Sequence, residues 1–160
     1  GNALAGAGFT LYKFDATAND YVEVKKIDAG TTTKFEFTGA DAGKYKLVET
    51  TVPAGYNKAD DLVFEVKGTY EAENTADPLK APKLTKLEIL DENGHSITGE
   101  NQVFTTNLKQ GTATTNIKNL TGSELPSTGG MGTTVLYAAG TLMILAAAAF
   151  LVMKKKAESK

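Results

Sequence analysis

Cysteine, arginine and tryptophan are absent from the 160 residues, and histidine occurs once. Without cysteine the chain has no disulfide, no thiol nucleophile and no thiolate metal ligand. The single histidine, His95, directly follows the turn signal Asn93-Gly94, so we expect a solvated turn residue rather than a member of a catalytic triad or metal site. We therefore expect neither a cofactor nor a metal, and no enzymatic activity.

Residues 1–130, here called the body, carry no excess of basic side chains. Residues 1–130 contain 13 lysines against 18 acidic residues, a net charge of −5, whereas the remaining residues contain four lysines and one glutamate, a net of +3. A mildly acidic body argues against nucleic acid as a partner. The acidic pairs Asp60-Asp61 and Asp91-Glu92 lack the spacing of a calcium loop, so we interpret them as solvated charge.

No segment before the last forty residues shows a sustained helical period. Short stretches of alternating apolar and polar residues, separated by turn signals, predict strands instead. Their number and near-regular spacing predict an all-β sandwich over residues 1–120. The predicted strands cover residues 9–14, 21–27, 33–38, 44–50, 62–67, 84–90, 102–108 and 112–120.

The last forty residues differ in character from the body. An apolar run without charge covers residues 134–152, and three lysines follow at 154–156. About twenty helical residues span roughly 30 Å, the thickness of a bilayer core, and a lysine cluster stays on the cytoplasmic side. The pattern predicts a flexible stem over 121–130, one transmembrane helix over 131–153 and a basic cytoplasmic tail over 154–160.

Within the predicted stem lies the pentapeptide Leu125, Pro126, Ser127, Thr128, Gly129. Together with the apolar run and the lysines, it resembles the LPxTG cell-wall sorting signal of Gram-positive surface proteins. The resemblance implies that a sortase cleaves between Thr128 and Gly129. The threonine carbonyl then passes to an amine of a peptidoglycan precursor or to a pilin lysine. The membrane is a transient partner, and the final location is the cell wall. An ordinary single-span anchor with a flexible linker is the alternative.

Two polar side chains fall on apolar faces of predicted strands. A period of two places Tyr45, Leu47 and Glu49 on one face of their strand, and Ile117 and Asn119 on one face of the last strand. An unpaired carboxylate on an inward face is costly, so an inward Glu49 needs partners. The alternative is that Glu49 reaches water at a strand end and that Asn119 starts a turn.

Two motifs resemble the SpaA/Cna-B pilin-type domain. They are GAGFTLYK at residues 6–13 and AGKYKLVETTVPAGY at residues 42–56. The resemblance implies an immunoglobulin-like or prealbumin-like β-sandwich of Cna-B type over residues 1–120. Many members carry an internal Lys–Asn isopeptide bond.

By position, Glu49 matches the acid that shuttles protons in that reaction, and Asn119 matches the acceptor of the isopeptide bond. The lysine of the family lies on the first strand, before the first motif. We expect that strand to lie upstream of Gly1, in a longer precursor of which this chain is a fragment or processed form. We therefore expect no crosslink in the present chain and a gap where the strand belongs.

These patterns predict a structural, wall-proximal module of a sortase-anchored surface protein or of an accessory or basal pilin. Without a lysine-bearing pilin motif, a shaft subunit is disfavoured. The alternative is an adhesin for a host surface ligand, with its binding region upstream or on the sandwich loops. A wall-anchored enzyme with its catalytic domain elsewhere is the third interpretation, and no residue pattern supports it.

Overall fold

A computed structural model describes residues 3–71, 82–100 and 102–121, and the backbone of residues 141–146. All of its regular elements are strands. The strands are β1 (Gly8–Asp15), β2 (Asp20–Ile27), β3 (Lys34–Ala40), β4 (Gly43–Thr51), β5 (Leu62–Tyr70), β6 (Leu84–Leu90), β7 (Thr105–Asn107), β8 (Thr112–Asn116) and β9 (Thr141–Ala146).

The first sheet has five strands in the order β2-β1-β4-β5-β6, all antiparallel to their neighbours. A bulge between Leu11 and Tyr12 shifts the register between β1 and its edge partner β2. Such a bulge twists an edge strand away from unwanted pairing. Strands β1 and β4 carry both sequence motifs that resemble the pilin-type domain, so those motifs form two inner strands of the first sheet.

The second sheet has four strands in the order β3-β9-β8-β7. Strand β9 runs parallel to β3 and antiparallel to β8, and it separates the two. Thr141–Ala146 form this strand in the structure, and the rest of the range 131–153 lies outside the described residues, so the transmembrane helix stays a prediction. An apolar segment can satisfy its backbone in a helix or between two open strand edges, and here β3 and β8 provide the edges.

The core lies between the two sheets and is rich in aromatic rings. The ring of Phe9 meets that of Phe35 edge-on, with centroids 4.7 Å apart. Phe64 stacks on Tyr45 at 5.8 Å and contacts Phe104 at 5.1 Å. These five side chains are at most 2% exposed, so strands of both sheets share one core. The all-β sandwich predicted from alternation is confirmed.

One polar network lies at the edge of this core. The hydroxyl of Tyr45 donates to the Asp41 carboxylate at 2.8 Å, and the Lys13 amine forms an ion pair with the same oxygen. Burial raises the pKa of Asp41, but the bonds from Lys13 and Tyr45 outweigh it and hold that pKa below its usual value. Burial, followed by the bond to Asp41, raises the pKa of the Tyr45 hydroxyl. The network fixes the polar end of a buried ring without exposing it to water.

Candidate functional site

Glu49 and Asn119 meet in the interior although 69 residues separate them along the chain. Glu49 is 3% exposed and Asn119 is 2% exposed. Glu49 shares its strand face with the buried Tyr45 and Leu47, as the period of two predicts. The inward orientation predicted for Glu49 and Asn119 is confirmed by this burial, and the alternative of a solvated carboxylate at a strand end is excluded.

Three N–H to oxygen contacts hold the Glu49 carboxylate. Asn119 Nδ2 donates to Oε1 at 2.8 Å and to Oε2 at 2.7 Å. The backbone N–H of Ala59 donates to Oε2 at 2.7 Å. Asn119 Nδ2 also donates to the carbonyl oxygen of Asn57 at 3.0 Å. A buried charge is tolerated only when such donors replace its lost water, so the amide of Asn119 and the carboxylate of Glu49 depend on each other.

The loop after β4 completes the cluster and positions Asn119. Tyr56 forms an antiparallel bridge with Thr121, and the Asn57 N–H donates to the carbonyl of Leu120 at 2.8 Å. Strand β8 ends at Asn116, earlier than the predicted strand over 112–120. The chain leaves the second sheet there and pairs with this loop instead. Sequence reasoning missed the loop because it contributes backbone groups, which no side-chain type reveals.

The cluster places a carboxylate beside an amide nitrogen at a site that is buried from water. This geometry suits a reaction in which the Asn119 side-chain nitrogen leaves as ammonia, because the Glu49 oxygens lie within hydrogen-bond distance of that nitrogen. The nucleophile for such a reaction is a lysine amine that reaches the core. Among residues 3–71, 82–100 and 102–121, no lysine is buried.

The other residues singled out in the sequence do not belong to the cluster of Glu49 and Asn119. His95 lies on a turn with its side chain 79% exposed. Its backbone N–H and that of Asn93 donate to Asp91 Oδ1 and lower the pKa of this carboxyl. The five residues Leu125, Pro126, Ser127, Thr128 and Gly129 lie outside the described residues. Within the described part of the chain, no helix has the length and apolar character of a membrane span.

Two family models match the chain. The SpaA model, a prealbumin-like fold domain, matches residues 1–80, half of the chain, and the model of the LPXTG cell wall anchor motif matches residues 118–160. The first model describes a structural domain and the second an anchor motif. No curated protein and no solved structure matches the sequence significantly.

The two matches divide the candidate cluster between them. Glu49 lies in the domain match, while Asn119 lies at the start of the anchor match. The fold agrees with the first match, because two sheets enclose one core. The second match assigns the protein to the cell-wall surface of a Gram-positive bacterium, with processing by a sortase and attachment to peptidoglycan. The chain thus belongs to the SpaA family of prealbumin-like domains and is a cell-wall-anchored surface or pilin-type protein.

Proposed function

We propose that this chain is the wall-proximal structural module of a surface protein or of an accessory or basal pilin, joined to peptidoglycan through Thr128. The observation that carries the proposal is the order of its parts. A β-sandwich precedes the pentapeptide 125–129, and an uncharged apolar run and a lysine cluster follow. A sandwich directly before the sorting pentapeptide supports a wall-proximal role.

The chemistry follows from the residue types of the pentapeptide. Pro126 fixes its own φ and has no N–H, which keeps the peptide out of a sheet ladder or helix. Gly129 has no side chain, so an enzyme cysteine can approach the Thr128 carbonyl closely. Attack by the thiolate breaks the Thr128–Gly129 amide and releases the Gly129 amine. An amine of the peptidoglycan precursor then displaces the thiolate and forms a new amide.

We expect Thr128→Ala to abolish processing of the full chain by a housekeeping sortase with an amine nucleophile. The matched control is Ser127→Ala, since the third position of the motif tolerates different residues. Mass spectrometry of the products should show a fragment that starts at Gly129 for the unmutated chain and the control alone. An uncleaved control, or a cleaved Thr128→Ala chain, would contradict the proposed attachment site.

We further propose that Glu49 and Asn119 are the proton shuttle and the acceptor of an intramolecular isopeptide bond, for which the described residues supply no lysine. In that reaction a lysine amine attacks the Asn119 side-chain carbonyl carbon and an amide forms. Glu49 passes a proton from the amine to the departing nitrogen, which leaves as ammonia. A crosslink of this kind restrains the unfolded chain as a long-loop disulfide does, and it needs no oxidant.

For the present chain we expect no crosslink, because the described lysines all lie outside the core. Burying a lysine without a partner costs several kcal/mol, so none of them is expected to reach Asn119. Intact-mass measurement should give the unmodified sequence mass. A chain lighter by one ammonia, with the missing atoms mapped to Asn119 and a lysine, would be inconsistent with this expectation. The adhesin alternative stays a prediction, because no contact among the described residues favours a particular ligand.

A further inference from the structure

Two exposed turns of the domain each carry an asparagine, and the structure holds the two side chains differently. Asn93 lies in the turn after β6, and Asn107 is the last residue of β7, where the turn to β8 begins. Both residues are exposed. Because their side-chain amides meet the same solvent, a difference in their reactivity has to come from the neighbouring groups.

The side chain of Asn107 is held at both of its polar atoms. Its Nδ2 donates to Gln110 Oε1 at 3.0 Å, and its Oδ1 accepts from the Gln110 N–H at 3.2 Å. The following residue is Leu108, whose side chain crowds the backbone nitrogen that lies next to the amide. A reaction between the Asn107 amide and its own backbone must therefore break two hydrogen bonds and proceed past a bulky neighbour.

Asn93 has neither restraint. Its side chain makes no hydrogen bond to any of the described residues, and the next residue is Gly94, which has no side chain. Apart from chain neighbours, nothing lies within 4 Å of the place that a Cβ on Gly94 would occupy. The Gly94 N–H donates to the Asp91 carbonyl at 3.0 Å, and this bond has to open before the nitrogen can react. Exposed turns open locally at little cost, and opening here displaces no packed side chain.

We propose that Asn93 is a site of spontaneous deamidation, and that the bonds from Gln110 protect Asn107 from the same reaction. The Gly94 backbone nitrogen bonds to the Asn93 side-chain carbonyl carbon, the bond from that carbon to Nδ2 breaks, and ammonia leaves with the Gly94 proton. Water then opens the cyclic imide. Hydrolysis at the side-chain carbonyl gives aspartate, whereas hydrolysis at the main-chain carbonyl gives isoaspartate, in which Cβ becomes a backbone atom. Water is the co-reactant, and the step needs neither the anchor nor the isopeptide chemistry.

The isoaspartate product changes the turn that closes the hairpin after β6. Asp91 Oδ1 accepts from the N–H of Asn93 at 2.9 Å and from that of His95 at 2.8 Å, and the Asp91 N–H donates to the His95 carbonyl at 2.8 Å. The modified peptide bond lies inside this set, so an added backbone atom shifts the donors relative to Asp91. The next bond of the hairpin, from the Ile97 N–H to the carbonyl of Ile89, secures a core residue that is 0% exposed. We therefore expect the isoaspartyl chain to unfold at a lower urea concentration than the unmodified chain.

The first test incubates the freshly prepared full chain in neutral buffer. Trypsin cleaves after Lys86 and Lys109, so one peptide contains both asparagines. Deamidation replaces an NH₂ group by OH, and fragment spectra assign this gain in mass to one residue. Conversion at Asn93 should be about tenfold or more faster than at Asn107, because opening the two Gln110 bonds slows the second reaction by that order. Equal rates at the two residues would overturn the proposal.

Gly94→Ala tests the nucleophile. A methyl group on residue 94 hinders attack by its nitrogen, so conversion at Asn93 should become slower than in the unmutated chain. Gly111→Ala is the matched control, since it also replaces a turn glycine of positive φ, +61° against +81° for Gly94, and it should leave the rate at Asn93 unchanged. Undiminished conversion in the Gly94→Ala chain would show that another group attacks the amide.

A second measurement needs no substitution. In concentrated urea the bonds between Asn107 and Gln110 are lost, whereas Leu108 still follows Asn107 in the chain. The ratio of the Asn93 rate to the Asn107 rate should therefore be smaller in the unfolded chain than in the folded chain. A ratio that does not change on unfolding would refute the protection by Gln110.

The consequence for the hairpin is measured on the aged protein. Anion exchange isolates the deamidated chain by its additional carboxylate, and isoaspartyl methyltransferase measures its content of isoaspartate. The urea midpoint of this fraction should fall as the isoaspartate content rises. Asn93→Asp is the matched control, because it adds the charge without the extra backbone atom, and its midpoint should equal that of the unmutated chain. An isoaspartyl fraction with an unchanged midpoint would overturn the effect on the hairpin.

Discussion

Asn119→Ala should lower the free energy of unfolding by about 3–5 kcal/mol, because a buried charge is left with too few donors. Asn119 Nδ2 donates to both oxygens of Glu49, and among the described residues the Ala59 N–H is the other donor to this carboxylate. Urea denaturation followed by linear extrapolation gives the change. Asn116→Ala is the matched control, since Asn116 is exposed at the end of β8, and it should change stability by about 0.5 kcal/mol or less.

A double-mutant cycle with Glu49 tests whether Asn119→Ala destabilises the domain through the buried carboxylate. Glu49→Met removes the charge while it keeps much of the side-chain volume. In the unmutated background it should destabilise, because the Ala59 N–H and the Asn119 amide lose their acceptor. In the Asn119→Ala background, the loss of stability caused by Glu49→Met should be smaller by about 2 kcal/mol, because the substitution there removes a carboxylate that has already lost its Asn119 donor. Additive effects of the two substitutions would show that Asn119 does not act through Glu49.

Phe64→Ala should be comparably damaging, with a loss of about 3–5 kcal/mol. Phe64 is 1% exposed and its ring contacts those of Tyr45 and Phe104. Its removal leaves a cavity between the first sheet and Phe104, the residue directly before β7, and neither neighbour can close it without leaving its own contacts. Thermal and urea unfolding, monitored by tyrosine fluorescence and circular dichroism, measure the loss.

Phe14→Ala is the control for ring size. Phe14 is half-buried and packs edge-on against Tyr21 at 5.5 Å. Its removal should cost about 1–2 kcal/mol, because the site opens to water instead of forming a closed cavity. If both substitutions lowered stability equally, Phe64 would not join the two sheets in the way that the ring contacts indicate.

Alternation predicted much of the domain from the sequence. Phe35 and Phe37 alternate with Lys34 and Glu36, and the structure buries the first pair and exposes the second. The same period placed Glu49 inward although its chemistry favours water. The local sequence pattern is sufficient here because side chains of a strand alternate between its two faces. A solvent-exposed face therefore appears in the sequence as a polar residue at every second position.

Two features escaped the sequence for different physical reasons. The apolar segment at 141–146 has no polar face, so neither a period of two nor a helical period distinguishes its possible structures. Its strand structure depends on the open edges of β3 and β8, which are about one hundred and about thirty residues away along the chain. The backbone partners of the cluster, at Asn57 and Ala59, were invisible because any residue can provide them.

The loop after β4 is hydrogen-bonded to residues 119–121, and this contact lies where a force applied through the C-terminal stem would reach the domain. A pull from the wall travels along the stem and enters the sandwich at Thr121, where the bridge to Tyr56 is the first contact that it strains. Immediately behind that bridge, Asn119 is tied to a buried carboxylate. Tension must therefore extract an amide held by charge-assisted hydrogen bonds before it can unzip β8.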